Sequence, residues 1–154
     1  MKIEYNNLYT HFIFTTLHRV PLISEKFRER IEKYITGIVN NNDSHLYAIY
    51  ANPEHVHFLV SRSPKLFEEH LASIVAESSQ NFINQNKLCS THFAWQSRFY
   101  REAFSMPKSD IDKVCKYILN QPEHHRKVSF KEEYETFIKF YQQTLQPFEQ
   151  SRSK

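Results

Sequence analysis

The sequence predicts an α+β fold of the ferredoxin-like, split βαβ type, with a four-stranded antiparallel sheet, helices on one face and additional C-terminal helices. Segments with strand and helix patterns follow the order strand, helix, strand, strand, helix, strand, helix, helix. Only Asn52 and Pro53 separate the second strand from the third, which indicates an antiparallel hairpin. The 154 residues suffice for a single domain, 1–154, with its own core.

The first half of the predicted fold follows from the spacing of apolar residues. Residues 8–16 are rich in aromatic and β-branched side chains, which is typical of a strand. Ser24 begins a helix in the usual capping manner, and apolar residues recur at helical spacing up to the polar break at 40–43. Residues 45–51 and 54–61 are the two predicted strands of the hairpin.

The second half continues with a long helix, predicted from Ser63 toward Lys87. The fourth strand is predicted within residues 95–106. A short helix over about 109–121 and a last helix over about 130–145 complete the predicted domain.

Composition excludes several classes of protein. Gly37 is the only glycine, so the chain has neither a P-loop nor a glycine-rich dinucleotide loop. Cys89 and Cys115 are far apart, which is typical of reduced thiols in a reducing compartment. No apolar run approaches the ~20 residues that span a bilayer, and the polar residues 1–7 do not form a signal peptide. We therefore predict a cytoplasmic protein with no membrane partner.

The formal net charge of +3 is modest, but its distribution is uneven. In residues 98–131, eight basic residues outnumber four acidic ones, and aromatic residues lie among the first of these bases. Basic and aromatic groups together favour single-stranded nucleic acid, which needs charge for its phosphates and flat partners for its bases. The alternative is a solvated helix face beside core aromatics. The candidate DNA-binding residues are Arg98, Arg101, Lys113, Lys116 and Trp95.

The third strand carries two histidines. Successive strand side chains point to opposite faces, so Val56 and Phe58 form an apolar face. His55 and His57 share the other face, about 7 Å apart at the Cα level. Two neutral imidazoles bind a divalent cation readily, although a polar outer face is also ordinary for a strand. Glu54 is expected from the alternation to face away from the histidines.

The short helix over 109–121 offers a second chemical group. Its predicted buried stripe comprises Ile111, Val114, Cys115, Ile118 and Leu119. Tyr117 lies about 130° from the centre of this stripe, so its phenol is expected to be displayed. Gln121 follows one turn later on the same side, Lys113 precedes by one turn and Lys116 is adjacent. The alternative is a surface tyrosine at an interface.

Taken in order, these motifs resemble the single-tyrosine HUH transposases of small bacterial insertion sequences, including the REP-associated tyrosine transposases. The resemblance covers approximately residues 9–139 and departs from many relatives at 97–102, a longer segment without glycine. The segments that carry it are Pro-Glu-His-Val-His at 53–57, Ser-Ser-Gln-Asn-Phe at 78–82, Phe-Ala-Trp-Gln at 93–96 and Tyr-Ile-Leu-Asn-Gln-Pro-Glu-His-His-Arg-Lys at 117–127.

The resemblance implies an enzyme that cuts and rejoins single-stranded DNA at hairpin-bearing ends. Tyr117 would be the nucleophile and would remain attached to the 5′ phosphate. A divalent cation, Mg²⁺ or Mn²⁺, would assist at the phosphate. The metal ligands that the resemblance implies are His55, His57 and Gln121.

Three questions remain open from sequence. Pro122 pushes Gln121 away from helical geometry, so His124 or His125 is the alternative third ligand. The resemblance implies a homodimer in which Tyr117 acts in trans. The alternative functions are a domesticated relative that nicks palindromes and a non-catalytic dimer that binds single-stranded DNA hairpins.

Overall fold

The computed structural model describes residues 7–96, 102–127, 129, 131–133, 135–136 and 139. The chain divides into two compact units, Met1–Leu119 and Asn120–Lys154. The single domain over 1–154 stays a prediction. Among the residues that the structure describes, no helix has the length and apolar character needed to cross a membrane.

The first unit follows the predicted order of strands and helices. Its elements are β1 (Tyr9–Thr15), α1 (Glu25–Asn41), β2 (His45–Ala51), β3 (His55–Ser61), α2 (Glu68–Gln85), β4 (Glu102–Met106) and α3 (Ile111–Leu119). The sheet has the strand order β2-β3-β1-β4, and all neighbouring strands are antiparallel. This is the split βαβ arrangement, so the predicted fold class is confirmed. The histidine strand β3 lies in the interior of the sheet, as expected.

One face of the sheet packs against α1 and α2. Phe58 of β3 stacks on Phe12 with ring centroids 5.1 Å apart and meets the edge of Phe14 at 5.0 Å. Ile35 of α1 and Val75 of α2 belong to the same buried cluster. Burying each of these side chains stabilises the fold by about 1.5–3 kcal/mol. This core therefore holds β1 and β3 in register and directs the alternate side chains of β3 to the opposite face.

The opposite face is covered by α3. Ile111 and Ile118 pack with Leu59 of β3 in a second buried cluster. Leu119, which was expected in the buried stripe, is 62% exposed, whereas Tyr117 is half-buried against this cluster. The expectation of a displayed tyrosine and a buried Leu119 is therefore wrong. The long tyrosine side chain reaches back over the sheet, which a count of helical angles does not foresee.

The second long helix begins later than predicted. The helix expected from Ser63 begins at Glu68, because the preceding residues form a turn. In that turn the Arg62 guanidinium donates to the Leu66 carbonyl and pairs with the Glu68 carboxylate at 3.0 Å. The fourth strand is observed at Glu102–Met106, inside the predicted residues 95–106.

The second unit begins with α4 (Gln121–Lys127), a helix that was not predicted as a separate element. Pro122 lies in its first turn, where a missing N–H group costs no helical hydrogen bond. The His124 N–H donates to the Asn120 carbonyl oxygen at 3.1 Å. Residues 131–133, 135–136 and 139 are helical, and the rest of the last helix predicted over 130–145 lies outside the described residues.

Candidate active site

His55 and His57 lie side by side on the α3 face of the sheet. Both imidazoles are buried, and their ring centroids are 4.9 Å apart. An ordinary polar outer face of a strand would leave such side chains in water. Burial of polar rings is costly unless they have hydrogen-bond partners. The groups that contact these two rings therefore determine which of their nitrogens can bind a cation.

Two side chains from the β2–β3 turn lie within hydrogen-bond distance of His55. Its Nδ1 lies 2.9 Å from a carboxylate oxygen of Glu54, and its Nε2 lies 3.2 Å from the amide nitrogen of the buried Asn52. The expectation that Glu54 faces away from the histidines is wrong. Because β3 begins only at His55, strand alternation does not extend to Glu54. A carboxylate on one imidazole nitrogen fixes the ring orientation.

A third imidazole, His11 of β1, completes the row. It is fully buried, and its Nε2 lies 3.0 Å from Nδ1 of His57. The strand register pairs Ile13 with His57, so His11 is the diagonal neighbour of His57 on the same face. Sequence reasoning missed His11, because alternation gives its face within β1 but not the register that places it beside His57.

Tyr117 of α3 lies over this row of imidazoles. Its ring centroid is 5.7 Å from that of His57 and 6.4 Å from that of His11, with the planes steeply inclined. Two of the elements that the sequence singled out, the histidine strand and the tyrosine helix, therefore meet within one chain. The half-buried phenol and the buried imidazoles lie together on one face of the sheet.

The candidate DNA-binding residues lie in different environments. Lys113 and Lys116 have exposed side chains on α3, whereas Arg98 and Arg101 lie outside the described residues. Trp95 is only 5% exposed, and its indole N–H donates to the Ser79 hydroxyl at 2.9 Å. This placement favours a packing role for Trp95 over base stacking.

Gln121 belongs to the second unit, where it is buried and contacts other polar side chains of that unit. Its amide nitrogen donates to Glu133 at 3.0 Å, and its amide oxygen lies 3.0 Å from Nε2 of His125. The same imidazole nitrogen lies 2.9 Å from the other Glu133 oxygen. His125, the alternative third ligand, is thus a direct neighbour of the Gln121 amide. Sequence reasoning missed Glu133, which no motif distinguished.

The comparisons with known proteins give one family and two similar structures. No curated protein matches this sequence significantly. A candidate transposase from Deinococcus radiodurans R1 has a similar structure, with 17% identity, a TM-score of 0.58, and coverage of 79% of this chain and 96% of its own. The REP-associated tyrosine transposase bound to a REP hairpin has 18% identity, a TM-score of 0.53, and coverage of 83% and 74%. At these identities the likeness shows the fold. The profile of the IS200-like transposases matches residues 4–121, and the chain belongs to this family.

Proposed function

We propose that this protein cleaves and rejoins single-stranded DNA with Tyr117 as the nucleophile. The observation that carries the proposal is the 5.7 Å distance between the Tyr117 and His57 rings in a member of the IS200-like transposase family. A structural neighbour, the REP-associated tyrosine transposase, is bound to a REP hairpin. This supports hairpin-bearing single-stranded DNA as the substrate. The exposed Lys113 and Lys116 on the tyrosine helix favour the approach of a phosphate backbone.

The proposed chemistry is covalent catalysis in two reversible steps. The phenolic oxygen of Tyr117 attacks a backbone phosphorus and loses its proton to solvent. A tyrosine–phosphate bond forms to the 5′ side, and the bond to the 3′ oxygen breaks, so the 3′ oxygen leaves and takes up a proton. A 3′ hydroxyl from another DNA end then attacks the same phosphorus and releases the tyrosine. The phosphodiester energy is retained in the intermediate, so no ATP is needed.

The histidine row fits a divalent cation, Mg²⁺ or Mn²⁺. His55 and His57 offer neighbouring buried imidazoles, and the Glu54 carboxylate at 2.9 Å orients the first ring as in many metal-ligating histidines. Imidazole suits Mn²⁺ better than Mg²⁺. A bound cation would polarise the phosphate oxygens and orient the phosphate. Gln121 as the third ligand stays a prediction from the sequence pattern.

The test is a search for the covalent adduct. The protein is incubated with a library of single-stranded hairpin oligonucleotides and Mn²⁺, and adducts that resist denaturation are detected by gel shift. We expect an adduct with the wild type and none with Tyr117→Phe, which keeps the ring and removes the nucleophilic oxygen. Tyr47→Phe is the matched control, because Tyr47 is an exposed tyrosine of β2 and should leave the adduct unchanged. Hairpin binding without any adduct in the wild type would instead identify a non-catalytic binding module.

The resemblance predicts a homodimer with Tyr117 acting in trans, whereas the intrachain distance favours action in cis, and mixing two inactive variants distinguishes the two. In a mixture of Tyr117→Phe and His57→Ala, a trans arrangement creates a complete site from an intact tyrosine of one chain and an intact histidine of the other. The proximity of the two rings within one chain supports action in cis. We therefore expect no adduct from the mixture. An adduct at a level comparable with wild type would assign the tyrosine to the partner's histidines.

A further inference from the structure

We propose that Glu54 and His11 are positioning residues that hold His55 and His57 in the tautomer with the proton on Nδ1. In this tautomer the lone pair of each imidazole is on Nε2, where a cation can take it. Glu54 lies in the segment 53–57 that carries the family resemblance, but the resemblance gave it no role, and His11 lies in none of those segments. The inference rests on the proposed function, because it assigns to these two residues the task of preparing the histidines for a metal.

The tautomer of His55 follows from the chemistry of two neighbouring side chains, Glu54 and Asn52. An ionised carboxylate only accepts hydrogen bonds, so the 2.9 Å contact with Glu54 requires the proton on Nδ1 of His55. The Nε2 atom then carries the lone pair and accepts a hydrogen from the Asn52 amide at 3.2 Å. Both contacts indicate the same tautomer. The Asn52 amide donates to the Nε2 lone pair that a cation would use.

The tautomer of His57 depends on the proton that it shares with His11. The 3.0 Å contact between His57 Nδ1 and His11 Nε2 needs one donor and one acceptor. If His11 donated, a neutral His57 would carry its proton on Nε2 and would have no lone pair there for a cation. Binding through Nε2 therefore requires His57 to donate and His11 to accept. In this arrangement His11 accepts the Nδ1 hydrogen of His57, as Glu54 accepts the Nδ1 hydrogen of His55.

The fold holds His11 firmly in this task. The side chain is fully buried, and the backbone pairing of Ile13 with His57 sets its distance from the metal strand. On the other side of the sheet, the stack of Phe12 on Phe58 ties the same two strands together. Turning a ring that is fixed in this way, so that water replaces its partner, would be costly. The hydrogen bond between His11 and His57 therefore persists.

The test reads tautomers directly, in the full chain without metal, by ¹⁵N NMR of labelled histidine side chains. We expect Nδ1-protonated spectra for both His55 and His57 in the wild type. His11→Phe keeps a ring and removes the acceptor, so the preference of His57 should be lost. His11→Gln places an amide oxygen near the position of Nε2 and should restore that preference. Glu54→Leu and Glu54→Gln form the corresponding pair for His55.

Mn²⁺ affinity, measured by electron paramagnetic resonance of the free ion, supplies a second readout. We expect His11→Phe and Glu54→Leu to bind Mn²⁺ about 10- to 100-fold more weakly than the wild type, with most of the affinity recovered in the glutamine variants. His92→Phe is the control, because His92 is an exposed histidine and its loss should change neither readout.

The outcomes separate this inference from the proposed function. A wild-type spectrum with His57 protonated on Nε2 overturns the inference without the need for any variant to fold. Unchanged Mn²⁺ affinity in folded His11→Phe and Glu54→Leu, with adduct formation intact in the wild type, overturns only the inference. A wild type that binds no Mn²⁺ and forms no adduct overturns the proposed function. The tautomer spectra then still test the roles proposed for Glu54 and His11.

Discussion

Replacing Trp95 with phenylalanine separates the two roles that its residue type suggests. The indole is buried against Phe14 and Phe93, with ring centroids 5.6 and 4.8 Å away, and its N–H donates to Ser79. If these contacts describe its role, the substitution lowers the free energy of unfolding and leaves DNA affinity unchanged. If the ring stacks on a base, DNA affinity falls instead.

The expected loss of stability has two parts. The lost hydrogen bond is worth about 1 kcal/mol. Ser79 keeps its own bond to the Ala76 carbonyl at 3.3 Å, so its hydroxyl is not left without a partner. The smaller ring leaves a void of about 40 Å³, which costs about 1 kcal/mol at ~24 cal/mol per Å³. Trp95→Phe should therefore destabilise the fold by about 2 kcal/mol.

The assay is urea unfolding followed by circular dichroism, because Trp95 is the only tryptophan and its fluorescence is lost in the variant. In a Ser79→Ala background the same substitution should cost about 1 kcal/mol less, since the hydrogen bond is already absent. Hairpin affinity is measured in parallel by fluorescence anisotropy. A stable variant that loses about 1–3 kcal/mol of binding, the value of one stacked base, would refute the packing role.

Three further predictions concern the frame around the site. Phe58→Ala should lower the free energy of unfolding by about 3–5 kcal/mol, while the control Phe67→Ala, at a side chain 80% exposed, should change it by less than about 0.5 kcal/mol. Asn84→Ala removes a donor and an acceptor that bond the backbone of Phe93 at 2.9 and 2.8 Å. The substitution should lower the free energy of unfolding by about 1–3 kcal/mol. If these two hydrogen bonds hold the backbone at Phe93 in place, hydrogen exchange of the Phe93 amide should become faster, and unchanged exchange would argue against this role. Burial raises the pKa of Glu32 above 4.5, so the folded state favours the protonated acid, and stability from this group falls as the pH rises from 4.5 through the folded pKa. The urea midpoint of Glu32→Gln, measured over the same pH range, should not show this decline. Identical pH profiles for the wild type and the variant would contradict a raised pKa of Glu32.

Local patterns were sufficient for most of the fold. The bounds of β2 are those predicted from residues 45–51, and α1 begins directly after its cap residue Ser24, as expected. Both depend on neighbours within one or two turns or on alternation within one strand. The same alternation placed His55 and His57 on one face, opposite Phe58.

What the sequence could not give was the pairing between distant segments. His11 and His57 are 46 positions apart, and only the register of β1 on β3 brings their nitrogens to 3.0 Å. Glu54 was not expected beside the histidines, because strand alternation was extended one residue beyond the start of β3. The inward reach of Tyr117 depends on the rings below it, which belong to other elements. Each of these outcomes is set by tertiary contacts that override a local pattern.

The two faces of β3 carry different side chains, with Phe58 on one face and the imidazoles on the other, and this has a genetic consequence. A point substitution in β3 changes a side chain on only one face, so a lineage can vary the two faces separately. The loss or gain of a single codon inside the strand exchanges them, because every later side chain then points to the wrong side. Copies of such a gene that decay through in-frame deletions should therefore lose folding and chemistry in the same event when the deletion falls within this strand.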